Sequence, residues 1–263
     1  MGMSRVAITR LDVETKKSER KTDWIAREKP LYIFLGRTHC VTIFCSPTNL
    51  KELAIGHLLA EGFVKSLGEV KELNLDAKKM TCRVELKSKV NMRSRLRLLK
   101  PYSRVILSAC GSRTPVHFSK RLSKTKSALR VKADMVLEGV RDLNFKAATF
   151  RKTGGVHAAA VYGGDGSLLA FAEDVGRHSA VDKVIGMTTE KSAVFGDCFL
   201  VLTGRLSGDV VLKVARVGIP VVASMAAALD SGVAVAKKSG ITLVGFVRGK
   251  RMNIYSHAER ISL

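Results

Sequence analysis

The chain has 263 residues and a formal net charge of +22, with 45 Lys and Arg against 23 Asp and Glu. A hydrophobic content of 46% and a charged content of 26% exclude wholesale disorder, and a chain this long buries enough surface to fold without disulfide staples. The charge excludes a generic neutral surface and asks for an anionic partner: nucleic acid, a membrane surface, or a phosphate-rich ligand or protein.

Residues 1–28 are polar and charged, with a lone Trp24, and are expected to form a basic, partly ordered arm. Met1 to Asp12 holds no apolar run of the secretory kind, and Val6 stands where a myristoylation signal wants Ser or Thr. Leu31–Leu35 and Cys40–Phe44 are β-like runs flanking Gly36-Arg37-Thr38, a hairpin pattern. An amphipathic helix follows over about Leu50 to Gly62. Asn49 is its expected N-cap, with Glu52 three residues on, and Leu50, Leu53, Ala54, Leu58 and Phe63 form one apolar face. Val70–Leu75 and Thr81–Leu86 read as strands. Lys87 to Arg130 then carries 13 basic residues and no acidic one. Val105–Ser108 inside that stretch reads as a strand. The charge is lopsided: residues 1–130 have a net charge of +17 and residues 131–263 one of +5.

Residues 134–143 read as a helix. Val156–Tyr162 and Ser167–Ala172 flank Gly163-Gly164-Asp165-Gly166, whose glycines supply the φ values that tight hairpins need. Arg177–Met187 reads as a helix. Strands at Cys198–Leu202, Ile219–Ala223 and Ile241–Val247 alternate with helices at Asp209–Val217 and Leu229–Ser239, and Gly218 and Gly240 fit helix C-caps. This βαβαβ pattern predicts a parallel sheet covered by helices. The expected division is an arm over 1–28, an α+β region over 29–100 and an α/β domain over 101–263 that contains the cysteine loop. The most apolar stretch, Ile219 to Ala236, is rich in small residues and contains Asp230, so no membrane span is expected.

Five widely spaced cysteines form no CxxC pair, which argues against a zinc ribbon and for a reduced, cytoplasmic protein. Cys40, Cys45, Cys82 and Cys198 lie in or beside apolar strands and read as buried small hydrophobes. Cys110 differs. It sits in Ser108-Ala109-Cys110-Gly111-Ser112-Arg113, with Arg104, Lys120 and Arg121 also near in sequence, and positive charge favours the nucleophilic thiolate. A second constellation is Glu173-Asp174-Val175-Gly176-Arg177-His178, followed by Asp182 and Lys183, where a strand ends and a helix begins. A helix N-terminus favours anions, and Arg177 and His178 suit phosphate binding or protonation of a leaving group. The plainer reading is an acidic N-cap with surface ion pairs. A third is Thr153-Gly154-Gly155-Val156-His157, where paired glycines let backbone approach a ligand, or simply make a turn. His39, His57, His117 and His257 are scattered and read as satisfied or exposed. His178 has no companion at metal-ligand spacing, so no metal site is expected. No GxGxxG, P-loop, GxSxG or HExxH occurs.

Taken together, these segments resemble the FdhD family of formate dehydrogenase accessory sulfurtransferases over roughly residues 25 to 256. The resemblance is carried by Glu173 to Lys183, by Thr153-Gly154-Gly155-Val156-His157-Ala158-Ala159, by Leu58-Leu59-Ala60-Glu61-Gly62, by Gly218-Ile219-Pro220-Val221 and by Gly240 to Gly249. It implies a cytidine-deaminase-like α/β core without a zinc site, and a homodimer. It also implies a sulfur carrier that takes persulfide sulfur from a cysteine desulfurase and passes it to bis-molybdopterin guanine dinucleotide, the client cofactor of formate dehydrogenase. The family's loop usually reads Cys-Gly-x-Cys-Gly; its first cysteine maps to Cys110 and its second position is Arg113. The implied cofactor-binding residues are Thr153, Gly154, Gly155, His157, Asp174, Arg177, His178, Asp182, Lys183 and Arg248, with Cys110 as the catalytic residue. Two other readings stand beside this one: a non-catalytic chaperone for the guanine dinucleotide cofactor, and an RNA-binding protein. An aromatic content of 6% and the lack of a known nucleic-acid module argue against the second.

Overall fold

The structure, a computed structural model, describes residues 2–90, 105, 106 and 124–263. The polar N-terminus is a hairpin, where a partly ordered arm was expected. Met3–Asp12 (β1) pairs antiparallel with Lys17–Ala26 (β2) from Met3↔Ala26 to Asp12↔Lys17. Thr15 N donates to Asp12 Oδ1 at 2.8 Å and closes the turn. At the base, Trp24 lies under the Arg5 guanidinium, 4.7 Å from its ring, and near Lys152 Nζ at 5.7 Å. Composition gave no warning of this because the strands are largely exposed and polar or charged; cross-strand pairing and the Trp24–cation contacts hold it.

A mixed five-stranded sheet follows. Lys29–Leu35 (β3), Thr38–Cys45 (β4), Val70–Asp76 (β5), Thr81–Leu86 (β6) and Val105–Ile106 (β7) are ordered β5-β6-β3-β4-β7. Leu31, Ile33 and Leu35 alternate into the core, the period-2 pattern of a half-buried strand. Leu50–Ala60 (α1) packs on that face. Asn49 is its N-cap residue, but with φ 52 and no side-chain cap bond; the expected capping box does not form, since that bond needs an N-cap residue in the extended region. Nor is α1 one-faced. Leu53, Ala54, Ile55, Gly56, His57, Leu58 and Leu59 are all buried, because a second helix covers its other side.

That helix is Arg177–Glu190 (α4), which lies on a six-stranded sheet. Ala133–Lys146 (α2) and Ala148–Thr153 (α3) lead into His157–Gly163 (β9) and Leu168–Asp174 (β10). After α4 come Cys198–Leu202 (β11), Gly208–Val217 (α5), Val221–Ser224 (β12), Asp230–Ser239 (α6), Thr242–Arg248 (β13) and Arg251–Ser256 (β14), in the order β10-β9-β11-β12-β13-β14. Val131–Lys132 (β8) pairs separately with Ile261–Ser262 (β15). Within the six-stranded sheet only β11, β12 and β13 are parallel to one another. The expected parallel pairing holds for β11, β12 and β13, and the Gly163–Gly166 turn folds β9 against β10 as the expected hairpin; at the far flank Gly249, at φ 61, turns β13 back into β14, a strand the sequence pattern did not suggest. Gly218 and Gly240 cap α5 and α6 in the left-handed conformation, as expected.

Alternation along β11 sends Cys198, Leu200 and Leu202 to the core shared with α1, α4 and the five-stranded sheet, and Phe199 and Val201 to a second core against α2. The fold is thus α/β, with α1 and α4 as a central layer. Among the described residues no helix is long and apolar enough to cross a membrane.

Cys40, Cys45, Cys82 and Cys198 are all buried, at 2% exposure or less. Burial pushes the thiols of Cys45 and Cys82 up to about 12 and that of Cys198 to about 11, so the nucleophilic thiolate is scarce at neutral pH. An aqueous thiol reagent should leave all four unmodified on native protein and label them in urea. Rapid native labelling of any one, located by peptide mass, contradicts this.

Candidate functional site

Sheet register gathers two of the three sequence constellations at one end of the molecule. Asp174 ends β10 opposite His157, which begins β9, and Thr203 N, just beyond β11, bonds to Ala158 O at 3.0 Å. This end holds the carboxyl termini of the parallel strands, where open α/β sheets place ligands. The Glu173 carboxylate accepts from Thr149 N at 3.0 Å and Phe150 N at 2.8 Å, which ties the start of α3 to the same end. Thr153 closes α3, and Gly154 leaves it at φ 62 with nothing within 4 Å of an added Cβ. Gly154 and Gly155 are exposed, so their backbone is open to a ligand.

The cationic groups differ in kind. Arg177 opens α4, half-buried, with Gly204 packed against its stem at 2.9 Å from a would-be Cβ. Arg205 is exposed on the loop after β11. His157 is half-buried and its Nδ1 lies 3.3 Å from Thr203 Oγ1. Burial, with the charges of Arg177 and Arg205, holds its imidazole below its ordinary value. His178 is buried, and desolvation with the Lys213 and Arg177 charges pushes it down to about 3. His178 is therefore neutral at neutral pH, and the positive charge here is Arg177 and Arg205. Protonation of a leaving group by His178 at neutral pH does not fit this environment. Arg248 is exposed at the end of β13, paired with the Phe246 ring at 5.0 Å. Three strand spacings separate β13 from β9, about 14 Å, so Arg248 shares the end but not the immediate cluster.

Asp174, Asp182 and Lys183 lie inside the protein, not on a ligand-facing surface, and the plain reading of surface ion pairs is corrected with them. Lys183 Nζ lies 2.7 Å from Asp174 Oδ2, both side chains 0% exposed. Lys183 also donates to Ser46 O, Thr48 Oγ1 and Glu173 O, each at 3.2 Å, while Asp174 accepts from Ser46 N at 3.1 Å and Gly176 N at 2.9 Å. This network fixes the 174–178 turn against the end of β4. Val175 N donates to Ser46 Oγ at 3.1 Å and closes it. Asp182 Oδ2 receives His57 Nδ1 and Lys213 Nζ, each at 3.0 Å. Lys213 reaches Glu61 Oε1 at 2.7 Å, and Arg216 reaches Glu61 Oε2 at 3.1 Å. Thus α1, α4 and α5 are joined by buried charges that balance one another.

The sequence pattern does not single out Lys213 and Arg216, and His57, expected to be satisfied or exposed, is satisfied by Asp182. Their signal was a polar residue inside an apolar helical run: Lys213 within Val210–Val214, His57 within Ala54–Leu59. Cys110, Arg104, Arg113, Lys120, Arg121 and His117 lie outside the described residues. β7 runs parallel to β4, with Ile106 level with Ile43, so its C-terminal end points the way β4 points, toward Ser46 and Asp174.

The family model described as the FdhD/NarQ family matches residues 26–262. The chain belongs to the FdhD/NarQ family. Relatives named sulfur carrier protein FdhD include one from Shouchella clausii, 36% identical over 93% of this chain and 92% of its own, and one from Saccharolobus solfataricus, 34% identical over 97% and 99%. A crystal structure described as a formate dehydrogenase accessory protein from Desulfotalea psychrophila superposes with a TM-score of 0.84 over the whole of both chains, at 24% identity, and shares the fold. In this FdhD/NarQ member, among the described residues, no three His, Cys, Asp or Glu side chains converge to hold a metal ion.

The buried groups give the family member a defined acid response. His178 titrates at about 3 folded against 6.5 as a free side chain, so the unfolded chain binds more protons in between and stability falls as pH drops through that window. Burial pushes Glu61 up, but Lys213, His57 and Arg216 outweigh it and bring it down to about 2; its contribution is present above 4.5 and lost between 4.5 and about 2. Urea midpoints should therefore decline from about pH 6.5 downward and more steeply below 4.5. A midpoint flat from pH 7 to pH 4 contradicts the burial of His178, and one with no further fall between pH 4.5 and pH 2.5 contradicts that of Glu61.

Proposed function

We propose that the chain is a sulfur carrier that serves formate dehydrogenase, with its cargo held at the end of the sheet formed by residues 153–157, 174–178 and 203–208. Family membership across nearly the whole chain, together with relatives named as sulfur carriers, is the observation that carries this reading. Cys110, outside the described residues, is the proposed sulfur-bearing residue. Its thiolate attacks the outer sulfur of a persulfide on a cysteine desulfurase. The donor's S–S bond breaks, the donor cysteine leaves as a thiolate, and Cys110 retains the sulfur as a persulfide. The exchange needs no outside oxidant or reductant, and one thiol suffices, so Arg113 at the second loop position leaves it available.

The proposed cargo is bis-molybdopterin guanine dinucleotide, an extended and strongly anionic molecule. Two guanidiniums, the exposed Gly154–Gly155 backbone and the N-terminus of α4 suit its pyrophosphates, and Arg248, three strands along the sheet, suits an extended ligand. A cytoplasmic homodimer belongs to the same proposal.

Incubation with a cysteine desulfurase and cysteine should add one sulfur mass to the Cys110 peptide. Cys110→Ala should lose activation of formate dehydrogenase while still retaining the cofactor. A Cys110→Ala protein that activates the enzyme normally sinks the sulfur-carrier role and leaves a cofactor chaperone.

A further inference from the structure

Two cations meet over one aromatic ring where the N-terminal hairpin touches α3. Arg5 Cζ lies 4.7 Å and Lys152 Nζ 5.7 Å from the centre of the Trp24 ring, so the two are at most about 10 Å apart. Both residues are exposed, and neither forms an ion pair with a carboxylate among the described residues. Strand alternation explains why. Register puts Arg5, Arg20 and Trp24 on one face of the hairpin and Asp12, Glu19 and Asp23 on the other. The first face is turned to α3, since Ala26, two residues from Trp24, stands 3.2 Å from a would-be Cβ of Gly155. Residues 148–153 of α3 include no acid. Asp23, next to Trp24 in the chain, accepts from Trp24 N at 2.8 Å. Like charges drawn to one ring repel each other, and the negative face of the ring offsets this only in part. An anion held between them removes the repulsion and gains charge-assisted hydrogen bonds.

We propose that Arg5, Lys152 and Trp24 form a subsite for the pyrophosphate group of a ligand seated in the neighbouring loop of residues 153–157. The span between the cations selects the anion. With a hydrogen bond of about 2.8 Å at each end, up to about 5 Å remains between the two acceptor oxygens. That is wider than the two oxygens of one carboxylate and suits oxygens on the two phosphorus atoms of a pyrophosphate. The Arg5 guanidinium offers a planar fork to one phosphate, and the Lys152 ammonium a point charge to the other. Arg5 and Trp24 lie ahead of residues 26–262, the span that the family model matches, so the hairpin adds this subsite to the family core. As an extension of the cargo site the subsite rests on the proposed function, but its affinity for pyrophosphate needs neither Cys110 nor sulfur.

Acetylation of Lys152 by an amine reagent, followed by peptide mass on the full chain, tests this. Millimolar inorganic pyrophosphate at low salt should slow modification of Lys152 about five-fold or more, while the exposed Lys78, on the turn between β5 and β6, keeps its rate. Succinate at the same concentration should protect Lys152 far less. Arg5→Gln should remove most of the protection. Unslowed acetylation in pyrophosphate, equal protection by succinate, or full protection in a folded Arg5→Gln protein overturns the proposal. If Arg5→Gln frays the hairpin, the pyrophosphate and succinate arms on the unaltered protein decide the question. A subsite that fails here leaves the sulfur carrier standing, and a failed Cys110→Ala test leaves the protection of Lys152 standing, so the two readings fall separately.

Discussion

Gly56→Ala should cost about 3 kcal/mol or more of stability, the largest effect expected from adding a single methyl group to this chain. A Cβ at Gly56 would stand 1.7 Å from Asp182 O and 2.6 Å from Asp182 C, and Gly186 faces it with a Cβ position 2.0 Å from Glu52 O. Both obstacles are backbone, so no side chain can rotate away. The helices must separate instead, which opens the core around Leu53 and Val184 and stretches the His57–Asp182 contact. Gly186→Ala should behave alike, and the double variant should cost clearly less than the two single losses added, because the first methyl already parts the helices. Urea unfolding measures all three. A Gly56→Ala protein within about 1 kcal/mol of the parent would mean that α1 and α4 do not cross backbone to backbone.

Lys183→Met is the second large effect. It strips the partner from a carboxylate that is 0% exposed and leaves Ser46 O, Thr48 Oγ1 and Glu173 O without their donor. Breaking a buried pair from one side typically costs about 3–5 kcal/mol. The pH dependence identifies the cause. Burial already pushes the Asp174 carboxyl up, against the pull of Lys183 and the Gly176 and Ser46 amides. Without Lys183 its folded value rises further above the unfolded one. The folded state then binds the extra proton, and the Asp174 contribution to stability grows as pH falls. His178 and Glu61 are intact in both proteins, and their titration cancels in the comparison. The deficit of the variant should therefore narrow between pH 7 and pH 5; a deficit that is constant with pH indicates lost packing and no stranded charge.

Much of the C-terminal half was legible because its signals are local. Gly163-Gly164-Asp165-Gly166 encodes a turn whatever surrounds it, Gly218 and Gly240 stop helices, and Cys198–Leu202 is apolar on both faces because helices cover both. The gathering of Thr153–His157 with Asp174–His178 was legible only as two motifs, since register joins them. What was not legible depends on distant partners. α1 carries the composition of a one-faced helix plus a few small residues, and nothing local says that Gly56 is small so that α4 can reach it. Lys183 and Asp182 look like surface charges until α1 and α5 enclose them. The hairpin of residues 3–26 and β14 escaped because their apolar alternation is only two residues long, Val6 and Ile8 in β1 and Met252 and Ile254 in β14.

Trp24 is the single tryptophan of the chain. It lies beside Lys152, one residue ahead of the Thr153-Gly154-Gly155 loop, and Ala26 two residues on faces Gly155 at 3.2 Å from its would-be Cβ. The protein thus carries an optical reporter of its own at the rim of the candidate site. Tryptophan emission of the unlabelled chain responds to any anion that draws Lys152 away from the indole, so ligands can be screened by titration without a dye, a tag or knowledge of the cargo.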